Sequence, residues 1–357
     1  MTRSLELIAR GSPSRFWTWA SPLAALAATM ACGMLLFGML GKPPLQAVAM
    51  FFVEPLATTR GVTEVLLKAT PLALCAIGLS LCFRANVWNI GAEGQLIAGA
   101  IGAAAVAVAA DSGNAAWILV AAIAAGAIAG MAWASITALL RDRFNANEIL
   151  VSLMLVYVAQ LLLSWVVHGP LKDPAGFGFP QSALFERAAR LPLLVEKTRL
   201  HVGVLLAPLA AVAAWLLLTR SVIGLQLRVA GLAPRAARFA GFSARTVLWT
   251  VLATCGALAG LAGALEVTGP VGQLTPSVSP GYGFAAIIVA FVGRLHPLGV
   301  VAASILMALI YIGGELAQSR LGLPSSLTGV YQGLLLLFLL GADTLIVNRL
   351  RLRAAAA

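Results

Sequence analysis

Charge is scarce in this chain, and acid is scarcer. Only 10% of its 357 residues are Asp, Glu, Lys or Arg, with 13 acids against 24 bases. A soluble domain needs far more charge to keep its surface hydrated, so that class is excluded. Histidine is represented only by His168, His201 and His296, which are far apart, and no HExxH places two of them on one helix face. Asp111, Asp142, Asp173 and Asp343 are equally isolated. Neither a zinc hydrolase centre nor an Asp-rich metal-diphosphate site can be assembled from such spacing. No serine lies in a GxSxG setting, which removes the strained nucleophile elbow. Cys32, Cys75, Cys82 and Cys255 fall inside apolar runs without CxxC spacing, and so read as small core residues. GxxxxGK[ST] is missing too, since the single Gly-Lys, Gly41-Lys42, leads into Pro43-Pro44. Without a phosphate loop the chain cannot hydrolyse ATP by itself, so any active process draws on an ion gradient or another subunit.

What is present is apolar sequence: 61% hydrophobic residues and a mean hydropathy of +0.95, the signature of an all-α polytopic membrane protein. Aromatics reach only 7% while glycine numbers 35, so the helices are expected to pack through small residues. Ten candidate spans follow, at 18–40, 62–83, 90–110, 115–140, 148–168, 202–219, 246–267, 282–293, 298–318 and 327–347, within a total of 8–10 crossings. The first, preceded by Arg3, Arg10 and Arg15, is too long for a signal peptide core and reads as uncleaved. The 282–293 run is short for a crossing and suggests a half-helix. The stretch 44–57, broken by Pro44, Glu54 and Pro55, reads as a surface segment.

A net charge of +11 is topological in such a protein, and no nucleic-acid partner is implied. With both termini in the cytoplasm, Arg141, Arg143, the 220–245 loop, Arg294 and the tail Arg349, Arg351 and Arg353 all fall inside. The Asp111–Asn114 turn and the 268–281 loop, free of Lys and Arg, then face outward. The basic 169–200 loop fits less well, with Asp173, Glu186 and Glu196 partly offsetting its five bases. Ionisable residues near spans are few: Lys68, Glu93, Glu148, Glu266, Glu315 and Asp343, mostly at span ends where hydration is available.

Two stretches carry more than topology. In "FRANVWNIGAEGQ", glycines and polar residues interrupt two apolar runs, either as a tight cytoplasmic turn or as a break reaching deeper. Asn89 is placed to cap the next helix and Glu93 to sit in its first turn. The alternative is that Trp88, Asn89, Glu93 and Gln95 line or brace a permeation path. A weak echo, "SPGYGFAAII" before the short run, offers Tyr282 and Phe284 as further candidates. In "RSVIGLQLRVAGLAPRAARFAGFSAR", Gly231 breaks the chain and Pro234 suits a first helical turn, with Arg235 and Arg238 one turn apart. The result is a short basic amphipathic helix whose apolar side, Ala237 and Phe239 with Phe242, needs a cover.

These two stretches, with "GPLKDPAGFGFPQS", "GALAGLAGALEVTG" and "SPGYGFAAIIVAFVGRLHPLGV", resemble the permease subunits of ATP-binding cassette importers in the ribose and branched-chain amino-acid permease superfamily. Within it the likeness is greatest to the nucleoside-type subgroup served by basic-membrane-protein lipoproteins, and it runs from about residue 60 to 345. The resemblance implies a single permease domain over residues 1–357 in a bacterial inner membrane. It implies a second permease subunit, two cytoplasmic ATPase copies that hold ATP and Mg, and an extracytoplasmic substrate-binding lipoprotein. This chain itself would hold no cofactor. Gly231, Pro234, Arg235, Ala237, Arg238 and Gly241 match the family's cytoplasmic coupling helix, although Ala233 replaces the Asn often found before the proline. The solute implied is a nucleoside or a related small polar molecule such as a sugar. A carrier driven by an ion gradient without an ATPase is the alternative.

Overall fold

Away from water an apolar chain satisfies its backbone hydrogen bonds most simply as helix. The structure, a computed structural model, describes residues 3–12, 14–110 and 117–354 and is dominated by thirteen α-helices among them. In order these are α1 (Arg15–Met39), α2 (Pro44–Phe52), α3 (Thr59–Arg84), α4 (Ala92–Ala109), α5 (Trp117–Phe144), α6 (Glu148–His168), α7 (Leu206–Arg220), α8 (Val222–Leu232), α9 (Pro234–Phe239), α10 (Ala244–Glu266), α11 (Tyr282–Val292), α12 (Pro297–Leu321) and α13 (Ser326–Val347). Among the described residues nine helices are long and apolar enough to cross a membrane, and each coincides with a predicted span. The tenth predicted span is the 11-residue α11, too short for a full crossing. The Asp111–Asn114 turn lies outside the described residues.

The chain divides into two compact units, one formed by Val62–Ala308 and the other by the residues before and after it. In the larger unit α4, α5 and α10 pack almost backbone to backbone. A Cβ added at Gly130 would lie 2.6 Å from Gly260 Cα, one at Gly126 2.6 Å from Ala264 Cβ, and one at Gly99 2.6 Å from the Gly260 carbonyl carbon. Glycine is therefore obligatory at this seam, where close approach replaces bulky interdigitation.

In the smaller unit α1 packs on α13, and the Tyr331 ring stacks on Phe51 at 4.7 Å and on Phe37 at 5.7 Å. The 44–57 stretch thus differs from its expected surface position. Its 9-residue helix α2 buries Ala47, Met50 and Phe51, because the prolines that break it also leave a short apolar face free to insert. Residues Arg3–Ala9 (β1) and Asn348–Ala354 (β2) pair antiparallel, an addition to the expected all-α architecture. Period-two alternation in RSLELIA and NRLRLRA is the sequence signal for it.

The 169–200 loop is held to the chain that follows α10. Ser182 N–H donates to Leu274 O, Phe185 N–H to Gly272 O and Leu191 N–H to Thr268 O, each at 2.9 Å. At its end His201 is buried against Gly203 and Gly269, and its Nδ1 has no hydrogen-bond partner among the described residues. Burial lowers the imidazole pKa from 6.5 to about 4, since no acceptor compensates the charged form. The folded state therefore holds His201 neutral. Its contribution to stability is complete above pH 6.5 and is lost as pH falls from there toward 4, by up to about 3 kcal/mol. Thermal unfolding across that range is expected to show the loss in wild type and not in His201→Phe. A parallel decline in both would remove His201 as its cause.

Candidate functional site

The first helix break reaches deep. After α3 the chain has no regular structure from Val87 to Gly91, and side chains satisfy several of its backbone N–H groups. Trp88 N–H donates to Glu148 Oε1 at 3.5 Å, Ile90 N–H to Ser152 Oγ at 3.1 Å, and Gly91 N–H to Asn89 Oδ1 at 2.9 Å. Asn89 and Gln95 exchange two amide hydrogen bonds of 3.2 Å, and Asn89 Nδ2 also donates to Cys255 Sγ at 3.3 Å. Gly91, not Asn89, occupies the N-cap of α4, so Asn89 supports the turn from two residues upstream. The sequence did not tie Ser152, Cys255 or Glu148 to the break, reading Glu148 as a hydrated span-end charge and Cys255 as a small core residue, because they reach it from α6 and α10, far away along the chain.

Glu93 joins this break to the second. It lies in the first turn of α4, is only 2% exposed, and accepts the Gly283 N–H of α11 at 2.6 Å. The Gly281 N–H and the Ser279 hydroxyl also bond to its carboxylate. A Cβ on Gly283 would lie 2.7 Å from the Ala92 carbonyl carbon, so the two helix starts touch. Two positive helix ends facing one another require an anion between them, and Glu93 supplies it. The echo between the two Gly-rich breaks is thus a physical contact.

Of the six residues expected along a pathway, Asn89, Glu93, Gln95 and Tyr282 are buried, whereas Trp88 and Phe284 are 40% and 38% exposed. The Trp88 ring lies 5.3 Å from Phe83 and 6.4 Å from Phe291, and Phe291 stands two turns after Phe284 on α11. The structure therefore separates four buried side chains from two partly exposed aromatic rings.

The second stretch folds as α8, a kink at Ala233, and the six-residue α9. Gly231 does not break the chain, because it lies in the last turn of α8, where any side chain would collide with the Arg84 carbonyl. The break falls at Ala233, with φ −144° and ψ 73° and no side-chain cap, and Pro234 opens α9. Gly241 ends the motif in the left-handed region at φ 78°. The expected single apolar side is split: Ala237 packs inward, while Phe239 is 93% exposed, and Leu232, Arg235 and Arg238 are exposed too. Leu232 escaped notice in the sequence because it precedes the proline that marks the helix.

α9 shares a cavity with Ala85–Val87 and with the end of α5, so the three stretches lie on one face. Nothing in this arrangement forms a reaction centre, and among the described residues no group of His, Cys, Asp and Glu is placed to hold a metal.

Residues 61–340 match the family described as branched-chain amino acid transport system / permease component. The chain is 36% identical to the glucose ABC transporter permease protein TsgB13 of Haloferax volcanii, covering 96% of this chain and 92% of the relative. It is 31% identical to the guanosine ABC transporter permease protein NupP of Bacillus subtilis, covering 89% and 91%. It is 24% identical to the nucleoside ABC transporter permease protein NupB of Lactococcus lactis subsp. cremoris, covering 89% of each. Family membership places ATP hydrolysis on a separate subunit and leaves the ion-coupled alternative without support. With nine helices among the described residues long and apolar enough to cross a membrane, and relatives matched over most of both chains, this chain belongs to the branched-chain amino acid transport permease family and is the membrane-spanning, non-hydrolytic subunit of a binding-protein-dependent ABC importer.

Proposed function

We propose that the solute is a nucleoside or a related small polar molecule such as a sugar. Support comes from the named solutes of the relatives, glucose, guanosine and nucleosides, all neutral and rich in hydroxyls. The exposed rings of Trp88 and Phe284 offer flat apolar faces of the kind that stack on a base or a sugar. Glu93, Asn89, Gln95 and Tyr282 brace the wall behind them. Competition by unlabelled guanosine and glucose for uptake of labelled guanosine tests the choice, and indifference to both would refute it.

The partners in this reading are a second permease subunit, an extracytoplasmic substrate-binding lipoprotein, and cytoplasmic ATPases that carry ATP and Mg. The location is a bacterial inner membrane with both termini in the cytoplasm. Pairing of β1 with β2 brings residues 3–9 and 348–354 together, which suits termini on one side of the membrane. The observation that carries the coupling role is α9 itself. It is anchored through Ala237, with α8 before it held by the Gly231–Arg84 approach, and it leaves Arg235, Arg238 and Phe239 exposed to a partner. ATP-driven closure of the ATPases displaces α9. The movement passes through the end of α3 into the break that ends at Glu93, shifting the balance between inward-open and outward-open states. Reversing charge with Arg235→Glu and Arg238→Glu together is expected to lower ATPase association and uptake at least about tenfold. Unchanged assembly and transport would disprove docking through α9.

A further inference from the structure

We infer that the cavity behind α9 is a binding site for a phosphate-bearing anion. Its volume of about 430 Å³ has room for a phosphate with a small attached group. Arg141, Arg238 and Arg245 line it together with Asp142, Asn86 and Asn145, so three guanidiniums face one carboxylate. Arg141 pairs with Glu148 at 2.6 Å and Arg245 with Asp142 at 2.7 Å. Asp142 must also accept the Trp249 indole N–H at 3.1 Å, and Arg238 has no ion pair among the described residues. Positive charge in the cavity is therefore in excess. The first turn of the 23-residue α10, from Ser243 to Arg245, forms part of the same wall and adds its partial positive end. The guanidinium fork matches two phosphate oxygens at once, which selects phosphate over a spherical ion.

The bound anion bridges α9 and α10 to the Ala85–Val87 turn that opens the first helix break, and so ties the coupling helix to the path leading to Glu93. Two sources offer this chemistry: the headgroup of an anionic phospholipid and a soluble phosphate. The inference holds independently of the transported solute and of ATPase docking, because it concerns binding to this chain alone.

The test uses the full chain with two probes. One is inorganic phosphate titrated into detergent-solubilised protein, with the thermal midpoint as readout. The other is phosphatidylglycerol retained from bilayers of equal parts phosphatidylcholine and phosphatidylglycerol, counted by native mass spectrometry against pure phosphatidylcholine. Arg245→Gln is expected to weaken binding of the effective probe about tenfold. Asp142→Asn, whose amide oxygen still accepts from Trp249, is expected to strengthen it. Opposite shifts from two folded variants separate the effect from misfolding. A saturable response to phosphate assigns a soluble ligand, and retention of phosphatidylglycerol alone assigns a lipid. Failure of both probes, or equal binding by wild type and both variants, overturns the inference. So does an Arg245→Gln effect confined to ATPase association, which would make the cavity a protein contact.

Discussion

Glu93→Ala is expected to destabilise the folded chain by about 3–5 kcal/mol, whereas Glu93→Gln loses only about 1–2 kcal/mol. The difference follows from what the carboxylate holds. It accepts the Gly283 N–H at 2.6 Å and bonds to Gly281 and Ser279, while sitting at the start of α4. Alanine leaves the buried Gly283 N–H without its acceptor and two positive helix ends unshielded. Glutamine keeps one acceptor oxygen and loses the charge. Thermal unfolding in detergent micelles ranks the three proteins, with uptake measured in parallel. A stable Glu93→Ala would show that the junction of α4 and α11 does not depend on this residue. A Glu93→Gln protein that folds normally yet transports nothing would instead give the carboxylate a direct part in passage.

Gly130→Val is expected to remove about 4 kcal/mol or more, enough to prevent recovery of folded protein. The first added carbon would lie 2.6 Å from Gly260 Cα and 2.8 Å from Gly260 N, and the methyl groups have no room beyond it. Relief requires α5 and α10 to separate, which breaks the contacts that both make with α4 along the same seam. Gly333→Ala on α13 is the matched control. A Cβ there meets nothing within 4 Å, so alanine should be neutral or stabilising by up to about 1 kcal/mol through helix propensity. Equal behaviour of the two variants in a denaturation series would refute close packing at the seam.

The positions of the long helices were legible, because a bilayer-length apolar run has one way to satisfy its backbone, and α9 was legible from Pro234 with Arg235 and Arg238 one turn apart. The depth of the Asn89–Gln95 break was not. Its partners, Ser152 on α6, Cys255 on α10 and Gly283 on α11, lie 62, 166 and 190 residues from the groups they meet, and no local pattern encodes them. Gly231 was misjudged as a break for the same reason, since its need for small size comes from Arg84 across the fold.

By itself, then, the sequence determined that this protein is a multi-pass helical body with a short basic helix between two of its spans. Composition and period suffice for that, because solvent alone sorts apolar from charged residues. Only the tertiary structure decided that two glycine-rich breaks meet at one buried carboxylate, and that three arginines from separated segments surround one cavity. Such outcomes depend on distances between residues remote along the chain, and those distances exist only once the helices have packed.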